Sequence, residues 1–235
     1  PRANGVKALI ISEGDEVVDV RLTNGSNELI IADRNGRAVR FDEDQVRTSG
    51  RAAMGVRGMM LDDDDDAVVG MIVVNDAEKE TAMVVSENGY GKRSEIGEYR
   101  KTSRAKKGVK TIAVTEKTGK LVAIKNVTDE NDLMIINKSG IVIRMAVANV
   151  RVMGRATQGV RLINLAKKND TIASVCKVMS SELEATVEEE SRQKWNETNE
   201  KLQQDIVAQD ADATTDEAGV DAPEATDTDD NNKTE

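Results

Sequence analysis

The sequence predicts an all-β protein built from repeated, four-stranded blades. Hairpin signals containing Gly36, Gly89 and Gly140 recur at intervals of 53 and 51 residues. Each is preceded by an apolar run and followed, at a fixed spacing, by a second glycine and two further apolar runs. Four short strands in roughly 50 residues are typical of radially repeating all-β folds.

The first strand of each repeat is the apolar run before the hairpin. These runs are "ELIIAD" at 28–33, "TAMVVS" at 81–86 and "DLMIIN" at 132–137. Asn-Gly or Ser-Gly follows each run, and Asn-Gly between β-rich segments favours a two-residue type I′ turn with positive φ at both central residues. We therefore expect three β-hairpins.

The second strand opens a series of four basic positions that all three repeats share. They lie 4, 11, 15 and 21 residues after the hairpin glycine, and we number them as rows. The first row is Arg40, Arg93 and Arg144; the second is Arg47, Arg100 and Arg151; the third is Arg51, Arg104 and Arg155; the fourth is Arg57, Lys110 and Arg161. A second glycine stands nineteen residues after the first: Gly55, Gly108 or Gly159.

Two more strands are expected after each second glycine. Their apolar runs lie at 55–61 and 67–74, 108–114 and 120–127, and 159–165 and 171–178. The chain begins with the end of a preceding repeat, containing Gly5 and the runs 5–11 and 16–22. Residues 1–179 thus hold about three blades and the end of another. Three blades cannot close a ring, so exposed edge strands are expected at both ends.

The charge of the chain changes sign near residue 180. Residues 180–235 contain 18 acidic and 4 basic residues, a charge of −14, whereas the whole chain carries −10 and residues 1–179 therefore +4. Ser181 and Glu184 form a candidate capping box for a helix over 180–209. Residues 210–235 are poor in large apolar side chains and are expected to be a disordered acidic tail. The tail serves either solubility or internal competition for whatever the basic body binds.

Composition argues against an enzyme. Histidine is absent, which removes the usual general base and imidazole metal ligand. The single cysteine, Cys176, excludes an internal disulfide, fits a reducing compartment and is expected to be buried. The five aspartates at 62–66 lack the alternating spacing of a calcium site and predict a solvated turn. No apolar run is long enough to span a membrane, and we expect no catalytic residue, cofactor or metal here.

The shared basic positions have two interpretations, display toward a ligand or bracing of blade connections. Buried guanidinium groups without partners are costly, so four rows are too many for bracing alone, although the first row could brace. A rim of cationic side chains matches the phosphates of bent duplex DNA. The densest segment, 92–110, adds Lys92, Lys101, Lys106 and Lys107 to the predicted DNA-binding set of the four rows.

Several motifs resemble the C-terminal domain of DNA gyrase A, part of a type IIA topoisomerase. The resemblance covers about residues 2–179 and rests on "GVRG" at 55–58, "NGYGKR" at 88–93, "SRAKKGVK" at 103–110 and "GRATQGVRLI" at 154–163. It implies a β-pinwheel whose blades exchange strands. It also implies non-catalytic wrapping of double-stranded DNA in the cytoplasm, on the chromosome. The partners implied are the upstream part of gyrase A and gyrase B, in an A2B2 enzyme that uses ATP and Mg through other domains for negative supercoiling.

Two alternatives remain beside this resemblance. The Gln-Arg-Arg-Gly-Gly-Lys-Gly box of the gyrase domain is absent from this chain, and the corresponding domain of topoisomerase IV lacks it too. The third candidate is a propeller-type module that binds proteins, for which the repeated arginines would be buried in blade connections. Tyr90 and Tyr99 lie in blade segments without a histidine, so neither is expected to act as a nucleophile.

Overall fold

Three antiparallel sheets organise the computed structural model, which describes residues 5–165 and 170–180 together with residues 189, 192, 194–196 and 198. The strands of these described residues are β1 (Glu28–Asp33), β2 (Arg37–Asp42), β3 (Val68–Val74), β4 (Thr81–Ser86), β5 (Tyr90–Glu95), β6 (Val109–Lys110), β7 (Leu121–Val127), β8 (Asn131–Asn137), β9 (Val142–Ala146), β10 (Val160–Arg161) and β11 (Ile172–Met179). Short 3₁₀ helices follow the hairpins at Glu43–Gln45, Ile96–Glu98 and Val147–Asn149.

Each sheet is centred on one hairpin and completed by later parts of the chain. The strand orders are β3-β1-β2-β6, β10-β5-β4-β7 and β11-β8-β9. In the first two sheets the strand on the outer edge of the hairpin, β6 or β10, comes from the following repeat. The predicted four-stranded blade with strand exchange is therefore confirmed twice. The third sheet has three strands within the described residues.

The hairpin turns differ from the expected type I′ form. Only the glycines Gly36, Gly89 and Gly140 have positive φ, at 77°, 80° and 84°. The amide of Gly36 donates to the carbonyl of Asp33 (3.2 Å), and the same bond recurs at the other two turns. This pattern is a type I turn followed by a left-handed residue, the usual three-residue hairpin loop. Glycine is required at its third position alone.

Three of the predicted strands are not strands. Residues 5–11 and 16–22 have no strand assignment, and 55–61 contains one isolated bridge, between Met59 and Lys106. Equivalent runs in other repeats do form strands. They pair either with the hairpin of their own repeat, as β3 does with β1, or with that of the preceding repeat, as β6 does with β2. Described residues 5–27 form no strand, so the runs 5–11, 16–22 and 55–61 have no such hairpin partner within the described structure. β-Propensity alone does not make a strand.

The apolar core lies between adjacent sheets. One cluster joins Ile30 and Ile72 of the first sheet to Val84 and Ile124 of the second, and a comparable cluster joins the second sheet to the third. Tyr99 is fully buried in the first cluster, and its hydroxyl is 2.5 Å from the Thr111 hydroxyl. Burial raises the pKa of Tyr99 to about 12. Each buried aliphatic side chain contributes about 1.5–3 kcal/mol, so the interfaces between blades hold the fold together.

Cys176 is exposed on β11, so the expectation that it is buried is wrong. It lies on the last sheet, against which no further described sheet packs. The helix predicted over 180–209 and the acidic tail over 210–235 lie mostly outside the described residues; 189, 192, 194–196 and 198 are helical. Among the described residues, no helix has the length and apolarity needed to cross a membrane.

The aspartate-rich turn is only partly solvated, because its last residue, Asp66, is buried beside Asp33. One Asp33 carboxylate oxygen accepts a hydrogen bond from the Arg37 amide (2.7 Å), and the other is buried without a partner in the described structure. Burial, together with the negative charges of Asp66 and Asp62, raises the pKa of Asp33 to about 7. In the third repeat the same position is Asn137, whose Oδ1 accepts from the Ile141 amide without carrying a charge.

Asp33→Asn is therefore expected to stabilise the protein at alkaline pH. The folded state holds the Asp33 proton more tightly than the unfolded state, so the wild type loses stability as pH rises from about 4 to about 7. With 1.36 kcal/mol per pKa unit and about two units between pH 5 and the folded pKa of about 7, the variant should gain about 2.5 kcal/mol more at pH 8 than at pH 5. Urea unfolding at the two pH values measures this. Asp64→Asn, at an exposed position of the same turn, is the control, and an equal gain at both pH values would contradict the assignment.

Candidate nucleic-acid interface

Two of the three first-row arginines brace neighbouring blades. Arg40 on β2 donates from Nη1 to the carbonyls of Ile96 (2.8 Å) and Tyr99 (3.1 Å) in the next repeat. Arg93 on β5 donates from Nε to the carbonyl of Val150 (2.8 Å), the residue that occupies the Tyr99 position one repeat later. These bonds explain why an arginine recurs four residues after the hairpin glycine. In both cases a guanidinium on one hairpin bonds backbone carbonyls of the next blade and fastens the two blades together.

Carboxylates complete the brace. Arg40 Nε donates to Glu28 (2.6 Å), and Arg93 Nη1 pairs with Asp129. Arg144, on the last hairpin, pairs with Asp132 (2.7 Å) and donates to the carbonyl of Met179 (2.7 Å) in its own sheet. Arg93 is buried, and the Arg40 side chain is 12% exposed. The expectation that the first row contacts DNA is therefore corrected for Arg40 and Arg93, whose charged groups are already used within the protein.

The third row is partly structural. Arg104 donates from Nε to the carbonyl of Gln45 (3.1 Å) and from Nη1 to that of Arg57 (2.9 Å). Arg155 donates in the same way to the carbonyl of Lys110. Arg104 thus fastens its loop to Arg57 of the preceding repeat, Arg155 fastens its loop to β6, and both arginines remain half-buried. Arg51, in the first repeat, is exposed.

The second row is displayed. Its three arginines follow the 3₁₀ helix of each blade and are exposed: Arg47, Arg100 and Arg151. Within the described part of the chain, none of their guanidinium groups donates a hydrogen bond or forms an ion pair. The structure thus places one such arginine at the same position of every blade. A polyanion can bind these guanidinium groups without breaking any contact inside the protein.

The fourth row is exposed as well. Lys110 and Arg161 lie on the exchanged strands β6 and β10, whereas Arg57 lies in a run that forms no strand. The backbone carbonyls of Arg57 and Lys110 accept hydrogen bonds from third-row arginines, and the side chains of both residues are exposed. Arg161 donates from Nη2 to the Tyr90 hydroxyl (2.8 Å), and its guanidinium carbon lies 5.4 Å from the centre of that ring. Stacking on Tyr90 fixes the guanidinium plane without neutralising its charge.

The lysines of the dense segment 92–110 divide into three kinds. Lys106 is exposed and its ammonium group has no partner among the described residues. Lys101 bridges Glu28 (2.6 Å) and Asp42 (2.8 Å), contacts that raise its pKa, and Lys107 pairs with Asp62 (2.6 Å). Exposed pairs of this kind contribute little to stability, so Lys101 and Lys107 can exchange their carboxylates for phosphates at small cost. The third kind is Lys92.

Lys92 is fully buried, which removes it from the predicted DNA-binding set. Its ammonium group donates to Ser94 Oγ (2.9 Å) and to the carbonyls of Gly154 (2.9 Å) and Arg155 (2.7 Å). Burial lowers its pKa to about 8, and the charge of Arg155 acts in the same direction. Lys92 instead positions the loop that carries Arg155. The sequence contained a hint of this, because Val39 and Ile143 occupy the same position in the other repeats.

Arginine burial was the observation expected of a protein-binding propeller module. It holds for the first row and in part for the third, but the second and fourth rows are displayed. No group of three or more residues suited to a metal ion occurs among the described residues. Within the described residues, the surface offers exposed cationic side chains at the same position of successive blades.

The chain matches the family model described as "DNA gyrase C-terminal domain, beta-propeller" over residues 1–24, 27–75, 80–128 and 131–176. It is 39% identical over 208 residues to the DNA gyrase A protein of Staphylococcus aureus strain NCTC 8325, and 41% identical over 188 residues to that of strain MRSA252. These matches cover 88% and 80% of the chain but only 23% and 21% of the relatives. The chain therefore spans about a quarter of the length of the curated relatives it matches.

Two solved structures resemble the fold closely. The C-terminal domain of DNA topoisomerase IV matches with a TM-score of 0.70 and 26% identity, over 78% of this chain and 57% of that one. A DNA gyrase A C-terminal domain matches with a TM-score of 0.68 and 26% identity, over 75% and 59%. The two shapes fit almost equally well, so the sequence matches, rather than the fold, separate the two families.

Proposed function

Since the chain belongs to the DNA gyrase C-terminal domain family, we propose that residues 5–180 form a non-catalytic module that binds and wraps double-stranded DNA. The observation that carries the proposal is the second row: three exposed arginines at one blade position, without partners in the described structure. Repetition by blade would let a single duplex meet one cation after another along its backbone. Contacts of this kind read phosphates and not bases.

The proposed contact set is narrower than the rows alone suggest. It comprises the second row, the fourth row and the exposed cations Arg51, Lys101, Lys106 and Lys107. The first-row arginines, Lys92 and the guanidinium groups of Arg104 and Arg155 hold the loops and strands that carry these groups. Bending 20–30 base pairs costs about 1–6 kcal/mol, so several phosphate contacts are needed together to stabilise a wrapped duplex.

The wider role of the module is also a proposal. In this role the chain acts within an A2B2 gyrase, beside the upstream part of gyrase A and the gyrase B protein. Those other parts cleave DNA and use ATP and Mg, in the cytoplasm on the chromosome, to introduce negative supercoils. The strand-passage chemistry requires groups that the gyrase relatives carry outside this quarter of their length. A topoisomerase IV role is less supported, because the two relatives with 39% and 41% identity described above are gyrase proteins.

Duplex binding as a function of salt tests the proposal. The full chain is compared with a truncated chain ending at residue 180, which removes most of a segment with 18 acidic and 4 basic residues. We expect the truncated chain to bind duplex DNA more tightly, with log K falling linearly as log salt rises. The measurement is fluorescence anisotropy with a labelled duplex, repeated with a second duplex of unrelated sequence. Absence of binding by the truncated chain at low salt would refute the proposed function.

A further inference from the structure

Two cations lie against one buried aromatic ring at the turn of the second hairpin. Tyr90 follows the hairpin glycine directly and is 5% exposed. The ammonium nitrogen of Lys117 is 5.5 Å from the centre of the Tyr90 ring, and the guanidinium carbon of Arg161 is 5.4 Å from it. Neither cation forms an ion pair with a described residue. The ring therefore gathers two positive charges at one place without neutralising either of them.

The backbone fixes the position of each member of this cluster. Tyr90 begins β5, and Arg161 lies on β10, where the two residues are strand partners. Lys117 lies in the turn between β6 and β7, which Asn88 fastens to the hairpin. Asn88 Nδ2 donates to the carbonyls of Glu116 (3.1 Å) and Lys117 (3.3 Å). Because strand pairing and the Asn88 bonds hold these segments, little order has to be gained when a ligand binds.

The cluster also retains hydrogen-bond donors. Arg161 donates to the Tyr90 hydroxyl oxygen from Nε (3.2 Å) and from Nη2 (2.8 Å), so the oxygen acts as the acceptor and the hydroxyl proton stays available. The ammonium group of Lys117 donates no hydrogen bond within the described structure. A phenolic hydroxyl beside two cations complements an oxyanion, which offers acceptors and negative charge.

These groups border a cavity of about 210 Å³. That volume is below the roughly 300–1,000 Å³ of pockets that enclose drug-sized ligands, so the cavity suits one small group. Among its described lining residues, Asn164 is polar and Asp170 is the one acidic residue. Asp170 accepts a hydrogen bond from the Ser139 hydroxyl (2.6 Å), which holds it on the side of the third hairpin. Two cations against one carboxylate leave the described lining positive.

The first blade carries the same turns with a different charge. The interval of 53 residues places Arg37 at the position of Tyr90 and Asp64 at that of Lys117. Arg37 Nε donates to Asp62 (2.9 Å), which belongs to the same aspartate-rich turn. The first blade therefore pairs this cation internally, whereas the second blade leaves its cations available to a ligand.

We propose that Tyr90, Lys117 and Arg161 form a subsite for one phosphate of the DNA backbone. The inference rests on the proposed function and adds Lys117 and Tyr90 to the proposed contact set. In the subsite the ammonium and guanidinium groups pair with the phosphate oxygens, and the Tyr90 hydroxyl donates a hydrogen bond to one of them. The contact reads the phosphate and not the base.

Duplex binding by the full chain as a function of salt tests the subsite. Lys117→Gln should lower the slope of log K against log salt by about 0.9, because one phosphate contact is lost. With affinities that converge at about 1 M salt, this corresponds to binding about 8-fold weaker at about 0.1 M salt. Lys117→Arg keeps the charge and should keep the slope. Lys79→Gln is the matched control, because Lys79 is exposed, pairs only with the exposed Asp76 and precedes the opposite end of β4.

Tyr90→Phe tests the hydroxyl separately from the charges. The ring that packs beneath both cations remains, and urea unfolding checks that the fold is retained. Loss of one donor to a charged oxygen should weaken duplex binding about 10-fold, while the salt slope stays that of the wild type. An affinity equal to that of the wild type would overturn the role of the hydroxyl.

Acylation of the wild-type chain locates the contact without any substitution. An N-hydroxysuccinimide ester modifies exposed lysines, and peptide mass spectrometry follows Lys117 and Lys79 in the same sample. Saturating duplex should slow the modification of Lys117 several-fold and leave that of Lys79 unchanged. Duplex binding without protection of Lys117, or with an unchanged slope for Lys117→Gln, would refute the subsite and leave the proposed function standing. A full chain that binds no duplex at low salt would also refute the subsite, and the truncated chain then decides whether the proposed function fails with it.

Discussion

Replacing Arg47, Arg100 and Arg151 together by glutamine is expected to weaken duplex binding without lowering stability. Their guanidinium groups have no partners in the described structure, so their removal breaks no internal contact. The slope of log K against log salt should fall by about 2.7, since each phosphate contact contributes about 0.9. At moderate salt the affinity should fall on the order of 10- to 100-fold, and to the same extent for unrelated duplex sequences.

The matched control changes the same number of charges outside the four rows. Arg34, Lys79 and Lys138 are exposed, and replacing all three by glutamine alters the net charge equally. If binding reflects only the overall charge of the module, both triple variants should weaken it alike. If the duplex runs along the second row, only the first variant should show the fall of about 2.7 in the slope of log K against log salt. Equal losses would contradict the assignment of the second row.

Gly108→Ala is expected to lower the free energy of unfolding by about 3–5 kcal/mol, the largest effect of any single substitution considered. A Cβ at this glycine would lie 2.2 Å from the carbonyl oxygen of Ala38 and 2.5 Å from its carbon, both backbone atoms of the hairpin that β6 joins. Residue 108 also has a φ of 75°, which costs an L-residue about 1–2 kcal/mol. The clash adds overpacking that only separation of the strands can relieve.

Gly55→Ala separates these two contributions. Gly55 is the same residue of the preceding repeat and has a φ of 87°, but no described atom would lie within 4 Å of its Cβ. It should therefore cost only the conformational part, about 1–2 kcal/mol. Urea unfolding of the two variants measures the difference. Equal losses would mean that the close approach of Gly108 to Ala38 contributes nothing.

Repetition made the hairpins predictable. The runs 28–33 and 81–86 are β1 and β4 without a change of boundary, and the three hairpin glycines lie where the intervals of 53 and 51 place them. The run 16–22 carries the same β-propensity but forms no strand, because a strand depends on a partner that propensity does not report. The exchange of strands between blades was predicted only from the resemblance to a known family.

The sequence did not show which basic rows bond within the protein and which are exposed to solvent. Arg40 and Arg47 recur with equal regularity, yet one braces the next blade and the other is exposed. Recurrence shows that a position matters in each blade and does not say whether its partner is a carbonyl or a solvent-borne anion. For Lys92 the apolar residues at the equivalent positions were the better guide, since they mark an inward-facing site.

The exchange of strands also bears on how the protein is synthesised. Arg37 pairs with Lys110 and Tyr90 with Arg161, so the outer edge of each hairpin is covered by residues 73 and 71 positions further along the chain. At about 5–20 residues per second, a nascent hairpin waits several seconds for its last strand to leave the ribosome. During that interval the outer edge of the hairpin presents backbone amides and carbonyls without a strand partner. The first two hairpins thus pass through a period in which a chaperone, or the nascent strand of a neighbouring polypeptide, can bind this edge first.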